Sequence, residues 1–180
     1  MQEVIFTTIT SAQSVFGMEI NMNDRNENIK YKKVIFVSED DTYRSPVAAA
    51  LLKSKLLRGI PQIESRGLVV LFNEPPNQKG VYLLKEMGID ISKHRSRQID
   101  EKDFKADTLV IMMSERGKKR IYDKFKNALN VYTFREFVGG SGDIEMPYGK
   151  DIEEYRENLI QIKSLVSIMA DKLIAINDKL

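Results

Sequence analysis

An uninterrupted apolar run, Val34-Ile35-Phe36-Val37, fits a strand covered on both faces, and Thr108-Leu109-Val110-Ile111-Met112-Met113 makes the same demand further along. Strands of this kind belong to parallel sheets held between helices, because a strand with one wet face alternates apolar and polar residues. The intervening segments supply the helices. Ser45-Pro46 opens a helical stretch from Val47 to Leu57, with the serine as N-cap and the proline as first helical residue. Asn77 to Met87 predicts a helix stopped by Gly88, and Ser114 to about Lys126 a basic one. Ile63 to Val70 and Asn130 to Phe134 read as the remaining strands, and a long helix runs from about Asp151 to the end. This alternation predicts an α/β, three-layer sandwich around a central four-stranded parallel sheet.

The 180 residues suffice for one domain with a proper core. Residues 1–31 stand apart as an N-terminal extension, β-prone from Val4 to Thr10 and polar from Asn21 to Asn28, and 32–180 form the domain. A net charge of +2 with both signs interspersed carries no nucleic-acid footprint. No apolar run is long enough for a membrane span, and the N-terminus lacks the basic start of a signal peptide. The chain has no cysteine, which excludes disulfides, thiolate metal sites and a cysteine nucleophile, and suits a cytoplasmic protein. A lone histidine, His94, excludes a multi-histidine metal site. No metal and no cofactor are expected. In the terminal helix Tyr155, Leu159, Ile162, Val166, Met169, Leu173 and Ile176 form an apolar stripe, read as packing on its own sheet rather than as a dimer seam.

In an open parallel sheet, ligands sit beyond the carboxyl ends of the strands, near a helix N-terminus. The first such place is Ser38-Glu39-Asp40-Asp41-Thr42-Tyr43-Arg44-Ser45, where backbone amides and the helix dipole form an anion cradle and Arg44 adds a fork for phosphate. With Pro46 behind it, this stretch resembles the phosphate loop of low molecular weight protein tyrosine phosphatases, C-x-G-N-x-C-R-S-P. The resemblance continues through Glu64-Ser65-Arg66-Gly67, through Gly88-Ile89-Asp90 with His94-Arg95-Ser96-Arg97, through Ala106 to Met112, and through Asp143 to Gly149, similar to the family's D-P-Y/F-G loop. It spans about residues 33–180 and implies that family's flavodoxin/Rossmann-like fold. The related arginine-phosphatase and arsenate-reductase branches remain open.

Matched residue by residue, the family's nucleophilic Cys falls on Ser38 and its general-acid Asp on Met146. A serine needs an adjacent base, and none lies nearby in sequence. Loss of a nucleophile costs about 10⁶-fold in a well-studied hydrolase; loss of general acid help costs about 10²–10⁴-fold. The family's Gly, Asn and second Cys fall on Asp40, Asp41 and Tyr43. Glu39, Asp40 and Asp41 thus bring three carboxylates to a loop meant for a dianion, each repelling a like charge a few Å away by roughly 1–4 kcal/mol.

Ser38 is accordingly read as a strand-end residue bonded to loop amides, and Arg44 as pairing with Asp40 or Asp41 to plug the pocket. Glu39, Asp40, Asp41, Thr42, Tyr43, Ser45 and Tyr148 are the candidate ligand-binding residues. Tyr148 flanks the phosphotyrosine ring in the family; here it either does so or only packs. His94 is read as structural, Lys118-Lys119-Arg120 as a solvated helix face, and Gly139 to Gly142 as a loop. The expected function is that of a binding or regulatory pseudophosphatase. One alternative is a residual or altered phosphatase acting on tyrosine or arginine phosphate. Another is cation or basic-peptide binding by the acidic loop facing Asp143–Glu145. The expected partner is a protein or small molecule at the degenerate loop, with the chain monomeric or homodimeric.

Overall fold

In the computed structural model, residues 31–56 and 62–178 are described. Four strands, β1 (Lys33–Ser38), β2 (Gln62–Gly67), β3 (Thr108–Met112) and β4 (Val131–Thr133), form one parallel sheet in the order β2-β1-β3-β4. The register aligns Ser38 with Gly67 and Val37 with Met112, so these strand ends meet at one edge. Helices α1 (Arg44–Lys55), α2 (Gln78–Glu86), α3 (Glu115–Lys124), α4 (Phe134–Phe137) and α5 (Ile152–Asp178) complete the expected architecture.

The two central strands are continuously apolar over Val34–Val37 and Leu109–Met112 because each feeds two cores. Val34 and Phe36 face a core shared with α1, α2 and α5, whereas Ile35 and Val37 face a smaller one with Ile121 and Phe125. Six of the stripe residues of α5, Tyr155 to Leu173, are buried in the larger core, as the sequence implied, with Ile176 packed at its edge. Tyr31 is buried there too, and its hydroxyl is pushed up to about 12 by burial and then by Tyr132. The rest of the proposed extension, 1–30, lies outside the described residues. Among the described residues no helix is long and apolar enough to cross a membrane.

Several helix starts follow ordinary capping chemistry. Asn77 accepts from the Lys79 and Gly80 amides, Ser114 from Gly117, and Asp151 from Glu153 and Glu154. Gly88, at φ +75°, ends α2 as expected. The start of α1 differs from expectation. The helix begins at Arg44, its N-cap is Tyr43, and no side chain caps it. The Tyr43 carbonyl already accepts from the Val47 amide, which places Ser45 inside the helix with its hydroxyl used elsewhere. Helix α4 was not anticipated: Thr133 and Glu136 form a reciprocal capping box that turns the chain immediately after β4.

Candidate functional site

Ser38 ends β1 with 1% of its surface exposed, and the Asp41 amide donates to its hydroxyl over 3.2 Å. The Ser38 and Ser45 hydroxyl oxygens lie 2.7 Å apart, and Ser45 donates to Asp41 Oδ1 over 2.8 Å. Ser45 has one proton, already given to the carboxylate, so Ser38 donates to Ser45. The result is a directed chain from Ser38 through Ser45 to Asp41. Asp41 is fully buried at φ +60°, a conformation that Asp and Asn tolerate better than most residues. Its second oxygen accepts from the Arg97 amide over 3.1 Å.

His94 closes the network. Its Nε2 lies 2.8 Å from the Asp41 carbonyl and 3.4 Å from Asp41 Oδ2. Burial pushes the imidazole down, but the hydrogen bond and charge of Asp41 outweigh it, and His94 holds its proton more tightly than usual. The supporting role expected for His94 is thereby given partners. The expectation that no base lies nearby is corrected. Asp41 stands three residues away, reached through Ser45 because the left-handed turn folds its carboxylate back under the loop.

The rim is arranged otherwise. Glu39 is exposed and paired with Arg120 of α3, which is therefore more than a solvated charge. Asp40 Oδ1 accepts from the Thr42 amide over 3.1 Å, and its Oδ2 from the Tyr148 hydroxyl over 3.3 Å. Burial and then Asp40 raise the Tyr148 phenol above its ordinary value, with Arg44 opposing. Half-buried Thr42 gives its carbonyl to the Asn77 amide. Tyr43 leaves the loop altogether. Fully buried, it donates to the Tyr155 carbonyl over 3.0 Å and packs edge-on against the Tyr155 ring. Its hydroxyl is pushed up by burial and then by Tyr155. Room for it comes from Gly80, where a Cβ would lie 2.7 Å from the Tyr43 ring.

Two expectations are thus corrected. The loop does not aim three carboxylates at an anion, since Asp41 is turned underneath and Glu39 is neutralised outward. Nor does Arg44 pair with Asp40 or Asp41: its Nη1 donates to the Ile144 carbonyl over 2.8 Å. The loops face one another as expected, but Asp143 accepts from the Glu115 amide. Among the described residues no group of three or more histidines and carboxylates is placed to hold a metal ion. Met146 is half-buried and packs against the larger core. No residue pattern marks the Leu71-Phe72 turn that follows β2, where both side chains are exposed, at 81% and 74%. That turn is tied back through Ser96, whose hydroxyl donates to the Phe72 carbonyl and accepts from the Glu74 amide.

The profile of low molecular weight phosphotyrosine protein phosphatase matches residues 33–177. The chain is 34% identical over 143 residues to a protein-arginine-phosphatase of Geobacillus stearothermophilus, covering 78% of this chain and 95% of that one. It is 30% identical over 135 residues to the low molecular weight protein-tyrosine-phosphatase PtpB of Staphylococcus epidermidis, covering 74% and 94%. Among solved structures, the YwlE arginine phosphatase of Geobacillus stearothermophilus matches with a TM-score of 0.74 at 33% identity, covering 80% of this chain and 94% of that one. A Cys→Ser mutant of YwlE arginine phosphatase with a phosphorylated active-site serine matches with a TM-score of 0.72 at 30% identity, covering 78% and 95%.

Proposed function

The chain belongs to the low molecular weight phosphotyrosine protein phosphatase family, and from that premise we propose that it is a pseudophosphatase, which binds a phosphorylated side chain of a partner protein at its degenerate loop without turning it over. The observation that carries this reading is the chemistry of the two reacting positions. Ser38 is a buried hydroxyl bonded to Ser45, and Met146 is a thioether packed on the core. Neither a thiolate nor a proton donor stands where the family's reaction needs one. Binding is better supported than hydrolysis. Arg44 has no carboxylate partner among the described residues, and α1 begins uncapped behind the loop. Relatives named as arginine and tyrosine phosphatases support a phosphorylated side chain as the ligand.

Purified protein should hydrolyse para-nitrophenyl phosphate, phosphotyrosine peptides and phosphoarginine peptides at background rates. It should bind one of those peptides in calorimetry, and Arg44→Ala should abolish that binding. Turnover by the unaltered chain that disappears in Ser38→Ala would overturn the reading.

A second reading rests on the chain Ser38–Ser45–Asp41: phosphoryl capture without release. Ser38 Oγ would form the new bond to phosphorus while the P–N bond of phosphoarginine breaks. The hydroxyl proton would pass by relay to Asp41, as a carboxylate accepts one in kinase catalysis, and the leaving guanidine would take its proton from solvent. The structure of a relative with a phosphorylated serine supports it. Incubation with a phosphoarginine peptide should then add one phosphate to Ser38 in intact-mass spectra. An unchanged mass removes this reading and leaves the first standing.

A further inference from the structure

A hollow of about 580 Å³ lies behind the degenerate loop, between α1 and the segment after α2, and none of residues 38–45 lines it. Its volume falls in the range of ligand pockets, roughly 300–1,000 Å³. It exists because α1 carries alanines where bulkier residues would fill the space. Ala49 and Ala50 form part of an apolar floor with Ile89 and Ile91, and the chain leaves α2 through the left-handed Gly88.

Charge is distributed unevenly around it. Lys53, Lys93, Arg95 and Arg97 line the hollow, and none of the four forms an ion pair among the described residues. Arg66 also lines it but is taken up by Glu64 and Asp103. The remaining carboxylate, Asp90, accepts from the Ser92 amide over 2.8 Å. Four cations without an ion pair therefore face one carboxylate without an ion pair, in a chain whose net charge is only +2. Concave walls of one sign focus potential on a ligand of the other. Arg97 offers a planar fork suited to phosphate oxygens, and Arg95, whose Nη1 donates to the Ser92 and His94 carbonyls, keeps its other N–H groups for them.

We propose that this hollow is a binding site for a phosphate-bearing small molecule with a flat apolar body, of the nucleotide class. The alanine and isoleucine floor takes the body, and the Lys53, Lys93, Arg95 and Arg97 rim takes the phosphates. Inorganic phosphate alone would leave the floor wet. A nucleic acid strand would call for a continuous basic face, which the near-neutral chain does not offer. One wall is His94, whose imidazole also touches Asp41 beneath the degenerate loop, so the ring reports occupancy.

Calorimetry and thermal melting with AMP, ADP, ATP, adenosine and inorganic phosphate test the site. The nucleotides should bind and raise Tm, each added phosphate tightening binding, and saturation should move the His94 imidazole signals in NMR. The Lys93→Glu/Arg95→Glu double variant should weaken ADP binding at least tenfold, as loss of a charge-assisted hydrogen bond implies. Ala50→Leu should weaken ADP while leaving the melting cooperative. The proposal fails if no nucleotide binds at millimolar concentration, if inorganic phosphate or an oligonucleotide binds as tightly as ADP, or if binding survives the double variant. Loss of nucleotide binding in Arg44→Ala would also overturn it, by placing the phosphates in the degenerate loop.

Discussion

Beneath the degenerate loop, Ser38, Asp41 and Ser45 are at most 1% exposed, and each hydroxyl and carboxylate oxygen has a partner. At the rim Tyr148 is 61% exposed, Glu39 is spent on a surface ion pair, and half-buried Met146 packs back against the larger core. The floor is interlocked by hydrogen bonds, and the rim is open to solvent. The two are physically separable: a buried polar network is costly to disrupt, whereas a rim side chain changes with little penalty. Substitutions at the rim can therefore accumulate while the loop keeps its shape.

The largest expected effect comes from restoring the chemistry on the existing floor. Ser38→Cys/Met146→Asp should raise para-nitrophenyl phosphate hydrolysis about 10²-fold or more above Ser38→Cys alone, the usual worth of a general acid. A double variant no faster than the single one would show that the floor is not poised as described. Next in size is the floor itself. Asp41→Ala leaves the Arg97 amide without its acceptor, takes from Ser45 the acceptor of its proton, and puts alanine at positive φ. A loss of about 3 kcal/mol, or roughly 6–12 °C in Tm, should follow.

A smaller effect is expected at His94. Its proton is held more tightly in the folded chain than the ordinary imidazole value of 6.5 implies. Its contribution is therefore complete below the unfolded pKa and is lost as pH rises through the raised folded one. Urea midpoints measured across that window should fall with rising pH, and His94→Gln should flatten the fall. The smallest effect belongs to the rim: Glu39→Gln breaks the pair with Arg120 and should shift stability by less than about 1 kcal/mol. A larger shift would mean that the rim is as interlocked as the floor.

The sheet was legible because the strands β1 and β3 are buried on both faces, and that demand is written directly in Val34–Val37 and Thr108–Met113. The loop was legible as a place, less so as a geometry. Spacing does not show that Asp41 adopts φ +60° and turns its carboxylate inward, nor that Tyr43 leaves for the core beside Gly80. The partner of Arg44 is a backbone carbonyl 100 positions away, which no local pattern encodes. Ser45 looked like a cap because serine before proline usually is one; here the floor competes for its hydroxyl and wins. The short α4 did carry a signal, Thr133 with Glu136 three residues on, that the strand reading of Asn130–Phe134 overlooked.

Gly67, opposite Ser38 in the sheet, has no room for a side chain: a Cβ there would lie 2.5 Å from Val70 and 3.0 Å from the Asp40 carbonyl carbon. The chain leaving it gives the Leu68 and Val69 amides to the Ser38 and Glu39 carbonyls. The outward-facing Leu71 and Phe72 follow two residues after this bonded stretch. Any side chain added at position 67 would push at once on this crossing segment and on the loop backbone, so the two can be displaced only together.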